Sequence, residues 1–141
     1  MEEPVKVALA VIVDKFHFAT VVALRPQGSH LAGKLEFPGG KFEDGERPVD
    51  CALREGLEET GLALHPLQEW KPIIHQYPER LVQLYPILCL GSQDDPLNTP
   101  WHWVDIDTLD HAYFPAANRR VIDEVKELPK AQRRRFDLNR P

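Results

Sequence analysis

Three glutamates in one short stretch carry the chemistry that the sequence offers. Glu55, Glu58 and Glu59 stand at positions i, i+3 and i+4 within Pro48 to Thr60, which reads as a helix. At 100° per residue they share one face. Carboxylates one turn apart repel each other by about a few tenths of a kcal/mol per pair. Their place near the helix C-terminus adds an unfavourable interaction with the macrodipole. Arg54 can pair with Glu58 at i+4, yet one guanidinium leaves negative charge over. A divalent cation would take up the remainder. Mg²⁺ prefers oxygen ligands, keeps several waters and is often held by one or two carboxylates together with substrate phosphates. The chemistry implied is a divalent ion held beside a phosphate-bearing substrate. A solvated acidic face is the plain alternative, but Gly39-Gly40 permits close backbone approach and Glu46 can fold back toward the same face.

The elements that must position this face can be read around it. Pro48 suits a first helical turn and Gly61 a left-handed C-terminal cap. Val49, Ala52, Leu53, Gly56 and Leu57 are expected to dock the helix on a sheet. Val5 to Val13 is apolar and β-branched almost throughout, as a strand buried on both faces would be, and Phe18 to Leu24 reads as its returning partner. Gln68 to Tyr77 and Leu81 to Leu90 read as two strands around a turn at Pro78-Glu79-Arg80. Trp101 to Val104 reads as another strand, with Trp101 or Trp103 in the core, and Ile106 to Leu109 as a helical turn. Asn118 to Leu128 is expected to form an amphipathic helix. With no repeat and no linker, the reading is a single α/β domain (α+β type) with a mixed sheet over residues 1–131. Residues 132–141, rich in arginine, are expected to be a mobile tail.

Composition bounds the rest. The net charge of -5 argues against a nucleic-acid polymer as partner, whereas a mononucleotide needs only a local pocket and a metal. No stretch approaches the roughly eighteen apolar residues of a membrane span, and the acidic start does not resemble a signal peptide. Cys51 and Cys89, with no CxxC pattern, are expected to be free core thiols, and a cytoplasmic setting follows. The histidines form no HExxH, which disfavours zinc hydrolysis.

The segment from Gly40 to Leu62 resembles the Nudix box, G-x5-E-x7-R-E-U-x-E-E-x-G-U, with U a bulky aliphatic. Gly40, Glu46, Arg54, Glu55, Glu58, Glu59, Gly61 and Leu62 match, and Gly56 departs from the pattern. The likeness extends through residues 30–41 and through Tyr77-Pro78-Glu79-Arg80 and Phe114-Pro115-Ala116-Ala117-Asn118, which resemble the MutT-type branch. It implies a mixed β-sheet sandwiched between helices. It also implies a Mg²⁺-dependent enzyme (Mn²⁺ substituting) that cleaves oxidised guanine nucleotides, 8-oxo-dGTP to 8-oxo-dGMP and pyrophosphate, in nucleotide-pool sanitisation and DNA repair.

Carried over residue by residue, Glu55, Glu58, Glu59 and the Gly40 carbonyl would hold the metal, and Arg54 would orient the glutamates. Glu55 or Glu58, or a loop acid such as Asp94 or Asp95, would take the proton of the attacking water. Lys41 would meet phosphate, and Arg25, Phe37, Glu79, Arg80 and Asn118 would meet the nucleoside. Without the resemblance Phe37 reads equally as core, and Asn118 equally as a helix cap. Two other readings remain: a Nudix pyrophosphohydrolase for another nucleotide such as CTP or a modified dCTP, and a non-catalytic nucleotide-binding module. The expected partner is a small nucleoside triphosphate, and the expected state a monomer or homodimer.

Overall fold

The computed structural model describes residues 3–29 and 31–138, with side chains followed as far as Arg135. Strand β1 (Val5–Val13) is the axis of an eight-stranded mixed sheet. It runs parallel to β7 (Arg80–Leu90), from Val5 opposite Val82 to Val13 opposite Leu90. Its other edge is shared. Val13 pairs with Thr20 of β2 (Ala19–Leu24), while Val7, Ala8 and Leu9 pair with Lys41, Gly40 and Gly39 of β4 (Gly39–Lys41). The short β3 (Leu35–Glu36) and β8 (His102–Asp105) both pair with β2.

The period-two pleat divides β1 between two cores. Ala8, Ala10 and Ile12 face the cluster that holds Cys51 and Ala52 of helix α1 (Pro48–Thr60). Leu9, Val11 and Val13 face the cluster that holds Val121, Ile122 and Val125 of helix α2 (Arg119–Leu138). The sheet between two helices agrees with the expected α/β sandwich. Cys51 and Cys89 are buried and free, and Trp101 is the more deeply buried of the two neighbouring tryptophans. No helix among the described residues is long and apolar enough to cross a membrane.

Local physics accounts for four departures from the sequence reading. The expected strand from Gln68 to Tyr77 is two, β5 (His65–Glu69) and β6 (Ile73–Tyr77), parted where Pro72 offers no N–H to a ladder. Both still pair with β7, along different parts of it. The face that docks α1 is Cys51, Ala52, Gly56 and Thr60, whereas Leu57, expected to dock, is 52 % exposed. Helix α2 does not stop at Leu128. It continues through Pro129, which is buried and follows Val121 and Val125 at four-residue steps, so packing of that stripe outweighs the lost N–H. Residues 132–138, read as tail, are therefore helical, and residues 139–141 lie outside the described residues.

Candidate active site

The roll of α1 sets the environment of each carboxylate. Because Ala52, Gly56 and Thr60 face the sheet, Glu55 and Glu59 flank the buried stripe instead of opposing it. The Glu55 side chain is only 19 % exposed, while Glu58, a further step round, is 58 % exposed. Strand β4 lies alongside. A Cβ on Gly40 would stand 2.4 Å from the Glu55 carboxyl carbon, and one on Gly39 would stand 2.2 Å from the Ala8 carbonyl oxygen. At Gly39 only glycine lets the backbone pass along β1, and at Gly40 a side chain would push the Glu55 carboxyl aside. The Gly39 N–H donates to Glu59 at 3.1 Å.

Gly56, the departure from the box pattern, has a partner in space. A Cβ there would meet Leu64 Cδ1 at 2.5 Å and Ala10 Cβ at 3.3 Å. Leu64 thus supplies from outside the helix the apolar bulk that the pattern places on it.

Arg54 organises the acids. Its guanidinium donates to Glu46 at 2.6 and 2.9 Å, to Glu55 at 2.8 Å and to Glu58 at 3.3 Å. Glu43 lies 3.7 Å away, and the Lys41 carbonyl accepts at 3.3 Å. The Arg54 hydrogen bonds, with the Glu43 N–H, hold the Glu46 carboxyl down at about 2. Glu46 and then Glu55 hold Arg54 above its ordinary value. Glu59 goes the other way. Burial first, then the neighbouring Glu55 and Glu36, push it up to about 7 against the Gly39 hydrogen bond. Burial pushes the Cys51 thiol up to about 11, which makes it an inert core group beside the Gly40 carbonyl and no nucleophile.

As the side chains stand, among the described residues no three acidic, histidine or cysteine groups are placed so that they could hold a metal ion. Arg54 draws Glu55 and Glu58 to itself, and Glu55 stands near enough to Glu59 to help raise it. Such a pair needs a shared proton or a cation. The donors beside it are all oxygen, and a hard divalent ion such as Mg²⁺ fits that chemistry.

A cavity of about 190 Å³ opens from β4 across the sheet to the start of α2. It is lined by Arg25, Phe37, Lys41, Arg80 and Asn118, all expected from the sequence, together with Gly39. Phe37 is both wall and core: it is 4 % exposed and stacks on Phe114 with ring centres 5.2 Å apart. Asn118 is 7 % exposed, and its Oδ1 has no hydrogen-bond partner, so its side-chain oxygen caps no helix. Three of the expected residues lie elsewhere. Glu79 does not line the cavity, because Tyr77 pairs with Arg80 and the turn between them holds Glu79 exposed, beside Tyr77. Asp94 and Asp95 line a separate cleft with Asp14, Lys15 and Phe16, where Gly91 meets Val13 at the end of β1 remote from β4.

Among the other lining residues, two polar ones were not singled out as candidates, Glu36 and Tyr77. Glu36 pairs with Arg25 at 2.9 Å and is itself raised by burial. Tyr77 accepts the Ala117 N–H at 2.9 Å. The first depends on Ala23 standing opposite Glu36 in the β2–β3 register, and no local spacing reveals either.

The sandwich and the carboxylate helix define a class, and comparison with known proteins agrees with it. Residues 8–124 match the NUDIX domain family, and the chain belongs to it. It is 33% identical over 110 residues to the 8-oxo-dGTP diphosphatase of Escherichia coli K12, covering 76% of this chain and 85% of that one. The enzyme of the same name from Proteus vulgaris is 41% identical over 78 residues, 55% of this chain and 69% of its own. Among solved structures, the MutT protein of methicillin-resistant Staphylococcus aureus 252 superposes with a TM-score of 0.70 at 25% identity, covering 89% of this chain and 98% of its own. The protein is thus an enzyme of the Nudix hydrolase type.

Proposed function

We propose that this enzyme is a Mg²⁺-dependent nucleoside triphosphate pyrophosphohydrolase that converts 8-oxo-dGTP to 8-oxo-dGMP and pyrophosphate. The observation that carries the reading is one cavity reaching from Lys41 and Gly39, beside the α1 acids, to the partnerless buried amide oxygen of Asn118. A triphosphate suits the first end and a purine edge the second. Phe37, stacked on Phe114, offers the base an aromatic wall. The Asn118 amide can accept from ring N–H groups and donate to a carbonyl. Lys41 and Arg80, both exposed at the rim, suit phosphate and base oxygens.

Glu55, Glu58, Glu59 and the Gly40 carbonyl would hold Mg²⁺, which when bound neutralises phosphate charge and lowers the pKa of a coordinated water. Glu55 or Glu58 accepts the proton of the attacking water. Water oxygen bonds to the β-phosphorus, the bond from that phosphorus to the α,β-bridging oxygen breaks, and the nucleoside monophosphate leaves with the bridging oxygen. Arg54 gathers and aims the glutamates by donating to Glu46, Glu55 and Glu58.

Purified protein in MgCl₂ with 8-oxo-dGTP, dGTP and CTP tests the proposal by the monophosphate and pyrophosphate released. The expected order is 8-oxo-dGTP first. Fastest turnover of CTP would overturn the guanine assignment, and absence of hydrolysis on all three would overturn the triphosphate reading.

A further inference from the structure

We infer that Tyr77 is a positioning residue for base recognition, its hydroxyl anchoring the peptide that carries Asn118; the inference rests on the nucleotide-binding reading above. Ala117 is 5 % exposed and lies in the single 3₁₀ turn Ala116–Asn118, too short to satisfy its own first N–H groups. A buried N–H left without an acceptor is costly. Tyr77 Oη, from the other wall of the cavity, accepts it at 2.9 Å.

Tyr77 is itself held firmly. It is 9 % exposed, ends β6 opposite Arg80, and meets the His75 ring edge-on at 4.6 Å. The hydrogen bond therefore fixes the backbone one residue before Asn118 to the rigid sheet. On the other side, the Asn118 N–H donates to the Pro115 carbonyl at 2.9 Å. Just beyond these two anchors, on Asn118 itself, is the buried Oδ1 that lacks a partner. A hydrogen bond to a base edge tolerates displacements of only about half an ångström. The hydroxyl thus acts on recognition through Asn118, while the Arg54 and glutamate cluster stands on other elements.

The experiment titrates 8-oxo-dGMP and, separately, pyrophosphate into the wild-type protein and into Tyr77→Phe, Asn118→Ala and the double variant, by calorimetry in MgCl₂. Tyr77→Phe is expected to weaken 8-oxo-dGMP about tenfold, the scale of one lost hydrogen bond to a buried group, and to leave pyrophosphate within twofold. In the Asn118→Ala background the same change is expected to add less than twofold. Unchanged 8-oxo-dGMP affinity in Tyr77→Phe overturns the inference. So does equal weakening of both ligands, or a full tenfold loss in the absence of Asn118. A lower melting temperature with unaltered affinity would make the bond merely structural and also overturn it. Failure of the catalytic reading shows separately, as wild-type protein that binds 8-oxo-dGMP and hydrolyses no triphosphate. Wild-type protein that binds neither ligand removes the nucleotide reading and this inference with it.

Discussion

Replacing Gly56 by leucine restores the apolar residue that the box pattern expects, and the structure indicates that by itself this harms the protein. A Cβ at Gly56 already stands 2.5 Å from Leu64 Cδ1 and 3.3 Å from Ala10 Cβ. Overpacking of this kind costs about 1–3 kcal/mol, and the space is tight enough to place Gly56→Leu near the upper end. Exchanging glycine for a good helix former returns about 1 kcal/mol, leaving a net loss of about 2 kcal/mol. Leu64→Ala, at a half-buried site, costs about 2 kcal/mol, the low end for leucine truncation. Independent effects would sum to about 4 kcal/mol. If the two side chains compete for one volume, the double variant loses about 1 kcal/mol or less, a coupling of about 3 kcal/mol. Urea unfolding of the four proteins, followed by circular dichroism with Mg²⁺ absent, measures the cycle. A double variant within about 0.5 kcal/mol of the sum would refute the exchange of volume between Gly56 and Leu64.

The remaining expectations concern the acids and their neighbours. Glu59 is raised to about 7 in the folded state, so the native protein holds a proton that the unfolded chain has lost. Its contribution to stability therefore falls as pH rises from about 4.5, its value when unfolded, to about 7. Glu59→Gln should remove that slope in EDTA, and Mg²⁺ should raise the melting temperature of wild type more at pH 8 than at pH 5; equal shifts at both would count against the site. Glu46 is held at about 2, so its contribution is complete above about 4.5 and is lost as pH falls toward 2. Glu46→Gln should therefore flatten the acid limb of the stability curve, and an unaltered limb would contradict the Arg54 pairing. Arg54→Lys should lower kcat at least about tenfold, because an ammonium cannot reproduce the planar fork that serves several carboxylates at once; full activity in a steady-state assay would show that the fork is dispensable. Gly40→Ala should abolish hydrolysis, since its Cβ would stand 2.4 Å from the Glu55 carboxyl carbon, and retained turnover would show that β4 can shift.

The sequence alone was enough for whatever depends on neighbours a few residues apart. Helix α1 begins at Pro48 and ends at Thr60 before Gly61, whose φ of 81° needs glycine. The Arg54–Glu58 pair follows from i,i+4 spacing, and β1 follows from a run that is apolar but for Lys6 and rich in β-branched residues. The tertiary structure decided what depends on partners distant in the chain. Which stripe of α1 faced the sheet turned on the small Ala8 and Ala10 beneath it and on Leu64 arriving from beyond the helix. That roll left Glu59 desolvated and Leu57 in water. Helix α2 outran Pro129 because a buried stripe outweighs a local preference, and Asp94 and Asp95 fell in another cleft because their loop leaves β7 beside the far end of β1. The bonds from Arg25 to Glu36 and from Tyr77 to Ala117 join segments that only strand register brings together. Spacing along a chain fixes direction within one element, whereas burial, and with it the charge a carboxylate will carry, belongs to the packed whole.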